Sequence, residues 1–344
     1  GSIAVDPGDD NIVYAGTGEP NTSGDSYDGT GVYKTTDGGA TWASVGLEAT
    51  RRIGKIVIDP LAPATIYVAA IGPQYSATPD RGVYKSTDAG ATWSRVLFVN
   101  DSTGVVDIAI NPLHPNILLA AAWQRMRGPQ GRKFMGGVHT GIYRTTDAGA
   151  TWQKLAGGLP GPSPTLGRPA VAIAPSDPAI AYAAFADDPG NYAGTYKTTD
   201  GGDTWTRTSD ASLSGLYSNY GWYFGKVFIS SFNANNVYVF GVYMGKSTNG
   251  GASWLQQNSN HVDHHALAFH PTDPNILYVG NDGGRGKSVN GGTTWTAEGN
   301  QDLYISQFYA GAIDFLNPSR SIGGTQDNGT IRTTTGSASD WQLV

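Results

Sequence analysis

Apolar and polar residues alternate over short runs along the chain, and no run of ten or more residues has the apolar spacing of a helix. The first fifty residues hold four such runs, IAVD, IVYAG, GVYKT and TWASV, separated by residues that favour turns. We name the four predicted strands A to D. The pattern predicts one four-stranded antiparallel sheet in this segment.

Two sequence motifs repeat in phase through the remaining chain. The segment GVYKTTDGGATW ends at Trp42, and more or less complete copies end at Trp93, Trp152, Trp205, Trp254, Trp295 and Trp341. In the last copy Thr335 replaces the Asp. The second motif, IAVDPGDDNIVYAG from Ile3, alternates with the first. Repeats of this length are typical of propeller blades. We therefore predict an all-β, seven-bladed β-propeller of four-stranded antiparallel blades.

The repeats also give the expected domain organisation. We expect one propeller over residues 1–344, with blades at about 3–50, 51–104, 105–166, 167–220, 221–260, 261–305 and 306–344. The first residues, GSIAVDP, contain neither an initiator Met nor a signal-peptide pattern. This start indicates a domain excised from a longer secreted chain.

The Asp or Asn of the first motif has a structural interpretation. It is expected in the turn between strands C and D, where a short acceptor side chain binds backbone N–H groups. The glycine that follows permits the tight backbone, and the Trp begins strand D and fills space between sheets.

Composition excludes several classes of function. The chain has 22 Lys and Arg against 28 Asp and Glu, a net charge of −6, and no basic run, so we expect no nucleic-acid partner. No apolar stretch approaches the ~20 residues that span a bilayer, which argues against membrane insertion. The Gly-rich, weakly charged composition favours a secreted or cell-surface protein, and the oligomeric state stays open. No cofactor is indicated.

The first motif, Ser/Thr-x-Asp-x-Gly-x-Thr-Trp, resembles the Asp box of BNR repeats. The whole chain resembles Asp-box propellers: sortilin (VPS10-type) propellers, bacterial BNR-repeat proteins, sialidases and xyloglucanase-type glycoside hydrolases. The resemblance implies the fold more strongly than the function, because this fold serves binding proteins and enzymes alike.

The variable loops should share one face of the propeller. Antiparallel strands alternate their ends, so B–C and D–A connections lie opposite the Asp boxes. Carboxylates, guanidinium groups and aromatic rings occur in these loops. The ligand-binding candidates are Glu19, Arg52, Trp123, Arg125, Arg168, Tyr220, Trp222, His261, Asp263, His264, His265, Arg285, Gln307, Tyr309 and Gln326.

Two segments allow alternative interpretations. In NHVDHHALAF the His and Asp side chains either bind a transition metal or form a polar mouth with His265 or Asp263 inward. Alternation along a strand sends His264 and His265 to opposite faces, where they do not easily share one ion, so we expect the polar mouth and no metal. The run YSNYGWYFG around Trp222 is either a stacking surface for sugars or packing beneath a loop.

The segment GNDGGRGKS contains the candidate catalytic residue Asp282. The resemblance to xyloglucanase-type hydrolases implies this role, and Asp327 lies at the matching point of the next blade. We expect Asp263, Asp282, Asp327 and Glu19 to approach one another, with Gly283 and Gly284 letting a sugar come close. Alternatively, Asp282 only bonds Arg285 or loop amides.

Three functions are compatible with the sequence. The first is an extracellular recognition propeller that binds a glycan or a peptide on the B–C and D–A face. The second is a glycoside hydrolase acting on a polysaccharide such as a xyloglucan-like β-glucan, and the third is a scaffold or assembly module.

Overall fold

A computed structural model describes residues 1–21, 23–128, 130–297, 307–337 and 340–344 of the chain. Its first three four-stranded sheets, and a small hairpin inserted in the third, hold fourteen strands. In chain order these are β1 (Ser2–Asp6), β2 (Asp9–Gly16), β3 (Val32–Thr35), β4 (Ala43–Ser44), β5 (Ile53–Ile58), β6 (Ile66–Ala70), β7 (Gly82–Ser86), β8 (Ser94–Leu97), β9 (Thr103–Ile110), β10 (Leu118–Gln124), β11 (Met126–Gly128), β12 (Gly131–Phe134), β13 (Gly141–Thr145) and β14 (Gln153–Lys154).

Four further four-stranded sheets follow along the chain. Their strands are β15 (Leu166–Ile173), β16 (Ala181–Asp187), β17 (Tyr192–Thr198), β18 (Thr206–Arg207), β19 (Lys226–Ile229), β20 (Val237–Phe240), β21 (Met244–Ser247), β22 (Leu255–Gln257), β23 (His264–Phe269), β24 (Leu277–Asn281), β25 (Gly284–Ser288), β26 (Thr296–Ala297), β27 (Phe308–Ile313), β28 (Ser321–Thr325), β29 (Thr330–Thr333) and β30 (Gln342–Leu343). The helical segments of the described residues are α1 (Gly221–Phe224) and the 3₁₀ turns Glu48–Thr50 and Ala211–Leu213. The predicted all-β fold of four-stranded antiparallel sheets is confirmed.

The chain divides into two compact units, residues 1–257 and residues 258–344. The first unit holds five four-stranded sheets and the β11–β12 hairpin, and the second holds two four-stranded sheets. Within the first unit the leading strands contact each other in order: β1 with β5, β5 with β9, β9 with β15 and β15 with β19. This radial order is that of a propeller. A single domain over the whole chain stays a prediction.

The hydrophobic core of the first unit lies between consecutive sheets. One cluster joins sheets three and four through Leu119 and Phe185, and another joins sheets four and five through Tyr182 and Val227. The second strands of sheets two to four are buried almost throughout, because each is covered on both faces. Their sequences IYVAA, LLAAAWQ and AYAAFAD are accordingly continuous apolar runs rich in small Ala residues.

The Asp boxes occupy the C–D turns, as predicted. In the second sheet the Asp88 carboxylate accepts hydrogen bonds from the Ser86 hydroxyl (2.7 Å), the Thr92 N–H (2.9 Å) and the Thr92 hydroxyl (2.6 Å). The next residue, Ala89, has φ 57°, a left-handed backbone, whereas Gly38 supplies this conformation in the first box. The box is a closed turn held by its own side chains.

The seventh, eroded box differs from the sequence prediction. Thr335 stands where the Asp is expected, but the carboxylate comes from Asp340 on the other side of the turn. Asp340 accepts hydrogen bonds from the hydroxyl groups of Thr333 and Thr335, and these bonds lower its pKa. The substitution is therefore compensated by a carboxylate five residues later.

Box turns also join neighbouring sheets in the first unit. The hydroxyl of Tyr14, on β2, donates to the carbonyl of Ala89 in the next box (3.1 Å), and Tyr67, on β6, donates to Ala148 in the same way (3.1 Å). Trp93 returns the contact, because its Nε1–H donates to the Val45 carbonyl (2.7 Å). The predicted filling role of the box Trp is wrong for Trp42, which is 43% exposed.

The boxes and the variable loops lie at opposite ends of each sheet. In the sixth sheet His264, at the start of β23, pairs with Asn281 at the end of β24, while Leu277 at the other end pairs with Ser288, where the box begins. The long connections β2–β3 and β10–β13 lie at the loop end. The predicted separation of structural turns from candidate binding loops is confirmed.

We expect Asp88→Ala to lower the midpoint of thermal unfolding, because the Thr92 N–H loses its acceptor. Asp88→Asn should stay close to the parent at neutral pH, since Asn249 does the same work in the fifth box: it accepts from the Ser253 N–H (2.9 Å) and donates to its hydroxyl (2.8 Å). Equal midpoints for the parent and Asp88→Ala would contradict this role.

The same variants give a pH test. Hydrogen bonds, above all from Thr92, lower the pKa of Asp88 from 3.8 to about 2 in the folded protein. A lowered pKa favours the ionised folded state, so its stabilisation is complete above about pH 4 and is lost as pH falls towards 2. Across this window the unfolding midpoint of the parent should fall towards that of Asp88→Ala, whereas Asp88→Asn, which has no carboxylate at this position, should not lose this contribution.

Candidate functional site

The carboxylates of the second unit form the candidate site. Asp282 follows β24, and its Oδ1 lies 2.6 Å from Nε2 of His265, the second residue of β23. Antiparallel pairing of β23 with β24 brings these two residues together. Both are partly exposed, His265 at 31% and Asp282 at 25%. The sequence alternative in which Asp282 bonds Arg285 or loop amides does not describe this contact.

Asp263 stands immediately before β23 and is electrostatically coupled to its neighbours. Burial raises the pKa of Asp263, and the charges of Asp282 and Asp327 raise it further, against the opposing effects of His261 and His265. Its backbone is left-handed (φ 62°), as is that of Asp327 (φ 61°). Such conformations outside glycine are uncommon and collect at functional sites. The expected approach of Asp263, Asp282 and Asp327 is thus supported by this coupling.

The loop after β28 joins the site through backbone groups. Nε2 of His261 lies 3.3 Å from the carbonyl oxygen of Asp327, and Nδ2 of Asn328 donates to the carbonyl oxygen of Asp282 (3.0 Å). A Cβ on Gly283 would come within 2.7 Å of His261, so packing requires this glycine. The expected approach of a sugar at Gly283 and Gly284 stays a prediction.

The pairing of β23 with β24 is irregular between His264 and Ala266, so the strict alternation expected of a strand does not hold at His265. His264 is fully buried, and its Nε2 lies 3.0 Å from the Ser259 hydroxyl. Nδ2 of Asn281 donates to the same hydroxyl (3.0 Å), which ties the ends of β23 and β24 together. His264 is therefore structural, and its prediction as a ligand-binding residue is wrong because solvent does not reach it.

The remaining candidates of the second unit lie at its surface. Arg285 is exposed, with its guanidinium carbon 6.0 Å from the centre of the Tyr278 ring. Tyr309 is 71% exposed and belongs to β27 instead of a loop. Gln326 and Gln307 are linked through the backbone, since the Gln326 N–H donates to the Gln307 carbonyl (2.8 Å). Their binding roles stay predictions.

The predicted arginines of the first unit are buried. Arg168 Nη1 donates to Asn21 Oδ1 (2.8 Å) and to the carbonyls of Trp222 (3.1 Å) and Tyr223 (2.7 Å). Arg52 Nη2 contacts Asp28 Oδ1 (2.8 Å). Burial lowers the pKa of Arg168 to about 10, with Asp107 opposing the shift. These groups are internal cations, not rim charges.

The sequence suggested that Trp123 lies in a loop. In the structure Trp123 belongs to β10, and its side chain is fully buried. Its Nε1–H donates to the Met135 carbonyl (2.7 Å). The guanidinium carbons of Arg125 and Arg168 lie over its ring, 5.5 Å and 5.7 Å from the centre. The prediction that Trp123 contacts a ligand directly is wrong in this position, and the ring instead supports the two arginines.

The aromatic run around Trp222 is mostly packing. Tyr217 and Trp222 are buried, and Trp222 Nε1 donates to the Asn219 carbonyl (2.9 Å) from the short helix α1. Tyr220 is 50% exposed, which keeps its ring open to a ligand. Of the two interpretations, packing holds for Trp222 because its ring joins the core of the third and fourth sheets.

Glu19 interacts within the first unit. It follows β2, is partly buried, and its charge acts on Arg52 and Arg168. Its Oε1 is buried and accepts no hydrogen bond from the described residues. The expected approach of Glu19 to the carboxylates of the second unit stays a prediction.

Three residues that help to build these two regions, Arg81, Ser259 and Asn281, were not predicted from the sequence. Arg81 is fully buried and donates to the carbonyls of Ile71 (2.6 Å) and Pro73 (2.6 Å). Ser259 and Asn281 fix the ends of the site strands. The position of Arg81 directly before strand C was a usable signal, whereas Ser259 has none, because a serine in a polar loop resembles many others.

Metal binding finds no support in the described ranges, where no group of three or more His, Cys, Asp or Glu side chains is arranged to hold an ion. None of the helical segments given above has the length and apolar character needed to cross a bilayer.

Comparison with known proteins supports the resemblance. Residues 30–163, less than half of the chain, match the family model described as Sortilin-Vps10 (sortilin, neurotensin receptor 3). A xyloglucanase from Paenibacillus sp is 28% identical over 243 residues, which cover 64% of this chain and 22% of that protein. One from Acetivibrio thermocellus is 27% identical over 291 residues, covering 74% of this chain and 32% of that protein. The chain thus spans under a third of the length of these curated relatives.

Solved structures share the fold. A GH74 xyloglucanase from Xanthomonas campestris aligns with TM-score 0.53 and 18% identity over 99% of this chain and 58% of its own. An ancestral GH74 enzyme aligns with TM-score 0.61 and 15% identity over 97% of this chain and 53% of its own. YCF48 bound to D1 peptide aligns with TM-score 0.52 and 16% identity over 97% of this chain and 92% of its own. The predicted resemblance to sortilin-type and xyloglucanase-type propellers is confirmed.

Proposed function

We propose that this protein is a glycoside hydrolase module that acts on a polysaccharide of the xyloglucan-like β-glucan class. The observation that carries the proposal is the coupling of Asp263, Asp282 and Asp327, with His265 bound to Asp282. Xyloglucanases that match 64–74% of the chain support the substrate class. Hydrolysis of a glycosidic bond needs two carboxyl groups with different protonation, and this site offers candidates for both.

Asp263 is the proposed general acid. An acid must hold its proton at the working pH, and burial together with two neighbouring carboxylates raises the pKa of Asp263. It would give this proton to the glycosidic oxygen as the bond to the anomeric carbon breaks. The raised pKa is the same device by which other glycosidases keep a carboxylic acid neutral.

Asp282 is the proposed partner carboxylate. The 2.6 Å contact with His265 Nε2 orients one oxygen. The ionised carboxylate can attack the anomeric carbon as a nucleophile, or it can take a proton from an attacking water as a general base. The distance between the carboxyl groups of Asp263 and Asp282 determines which of these two mechanisms applies. The charge of Asp327 helps to raise the pKa of Asp263.

A recognition module without hydrolysis is the second candidate. The specific observation in its favour is the alignment over 97% of this chain with a peptide-bound YCF48 structure, of which 92% is covered. Tyr220 and Tyr309, both exposed, are the proposed contacts for a glycan or a peptide. In either case we propose that the protein works outside the cell.

We also propose that residues 1–344 form one seven-bladed propeller, since seven four-stranded sheets follow the repeat. A fragment of residues 1–257 should then unfold at a lower temperature than the whole chain, because an incomplete ring loses buried contacts. Equal midpoints for the fragment and the whole chain would instead support two independent domains.

Asp282→Asn should lower the rate of xyloglucan hydrolysis by about 10²–10⁴-fold, because an amide can neither attack nor accept the proton. The assay is the release of reducing ends. Asp273→Asn is the matched control: Asp273 follows β23 at the other end of the sheet, and its side chain accepts from the Asn275 N–H (2.9 Å).

Hydrolysis that survives Asp282→Asn would exclude the proposed catalytic role. Retention of xyloglucan on the immobilised protein without release of reducing ends would favour the recognition module.

Asp327→Asn should move the high-pH limb of the kcat/KM profile to lower pH. The negative charge of Asp327 raises the pKa of Asp263, so its removal lets Asp263 lose its proton sooner as pH rises. The rate at the low-pH side should change little. An unmoved high-pH limb in a variant with parental stability would show that Asp263 is not the acid.

A further inference from the structure

Arg125 is a buried cation without a counterpart. Its side chain is fully buried, and none of its three guanidinium nitrogens meets a hydrogen-bond acceptor in the described part of the chain. Its backbone is satisfied, since its N–H donates to the Ser102 carbonyl (3.0 Å). Arginine stays charged in proteins, and an unpaired buried charge is costly. The native state therefore gains from an acceptor at this point.

The charged groups that act on Arg125 are also cations. They are, in order of effect, Arg81, Arg52, Arg168 and Arg127. Burial first and these neighbours second lower the pKa of Arg125 well below its usual value. Four like charges around a buried guanidinium repel it, and an anion among them would add an attractive interaction with each guanidinium.

The carboxylates of this region act on other arginines. Asp28 contacts Arg52 Nη2 at 2.8 Å and is 48% exposed, and Asp101 acts on Arg81. Glu19 acts on Arg52 and Arg168. These carboxylates therefore act on the neighbouring arginines, whereas the largest charge effects on Arg125 itself come from cations.

The donors are held in place before any ligand arrives. Arg168 is anchored by the Asn21 side chain, and both Arg125 and Arg168 lie over the fixed ring of Trp123. Nε of Arg52, Arg81 and Arg168 also lacks an acceptor among the residues described. Preorganised, desolvated N–H groups bind anions more strongly than mobile surface side chains do.

We propose that the first unit binds a small oxyanion, a carboxylate or a phosphate, at Arg125, with Arg52, Arg81 and Arg168 around it. The guanidinium fork of Arg125 matches two oxygens of such a group, and the enclosed position favours a small ion or the end of a larger ligand. The inference does not rest on the proposed hydrolase activity.

Calorimetric titration with acetate, inorganic phosphate, glucuronate and chloride at equal ionic strength tests the proposal. The parent should bind at least one oxyanion, and its unfolding midpoint should rise with the concentration of that anion. The anion that binds most tightly identifies the class of ligand: acetate stands for a simple carboxylate, glucuronate for a sugar carboxylate, and inorganic phosphate for a phosphate group. Arg125→Met should weaken this binding by about ten- to a hundredfold, the loss expected for charged hydrogen bonds.

Two variants separate binding from general salt effects. Arg51→Gln removes an exposed guanidinium beside Arg52 and should keep the parental affinity. Without added anion, Arg125→Met should unfold at a temperature no lower than the parent, because it removes an unpaired buried charge.

Absence of oxyanion binding by the parent would overturn the proposal, whether or not Arg125→Met folds. Equal anion effects in the parent and Arg125→Met would overturn it as well. Glu19→Gln tests internal pairing: if Glu19 neutralises the cluster, this change would create oxyanion binding that the parent lacks.

Discussion

The structure of the first unit depends on the hydrogen bond between a box turn and the tyrosine of the preceding sheet. Tyr14 and Tyr67 donate to the carbonyls of Ala89 and Ala148, each exposed by the left-handed backbone after the box Asp. A carbonyl in that position is available only while the box is closed by its own Ser, Thr and Asp side chains. The box is therefore both a turn and a connection between sheets, and buried Ala-rich second strands complete the packing.

This arrangement leaves the opposite end of each sheet free to vary. Strong charges lie there in both units: buried arginines around Trp123 in the first, and coupled carboxylates beside His265 in the second. Burying a charge or placing carboxylates together costs folding free energy, and this cost is tolerated where the sheets are already fixed at their other end. The buried arginines and the coupled carboxylates are therefore the groups that indicate where function is located.

The relatives narrow the chemistry more than the fold does. A propeller by itself is compatible with hydrolysis, peptide binding and scaffolding. The proposed polysaccharide substrate comes from the similarity to xyloglucanases, and the raised pKa of Asp263 next to the His265–Asp282 pair is the local feature that the proposed acid and base mechanism needs. The arginines around Arg125 have no part in that mechanism, and we assign them to an anion.

The sequence by itself determined the strands, the C–D position of the boxes and the loop end of each sheet, because these follow from local turn chemistry and the two-residue period of a strand. Only tertiary structure decided that Trp123 and Arg125 are buried, that Asp340 completes the seventh box and that His265 binds Asp282. Burial and partner choice depend on residues far apart in the chain, and no local pattern reports which side chains meet there.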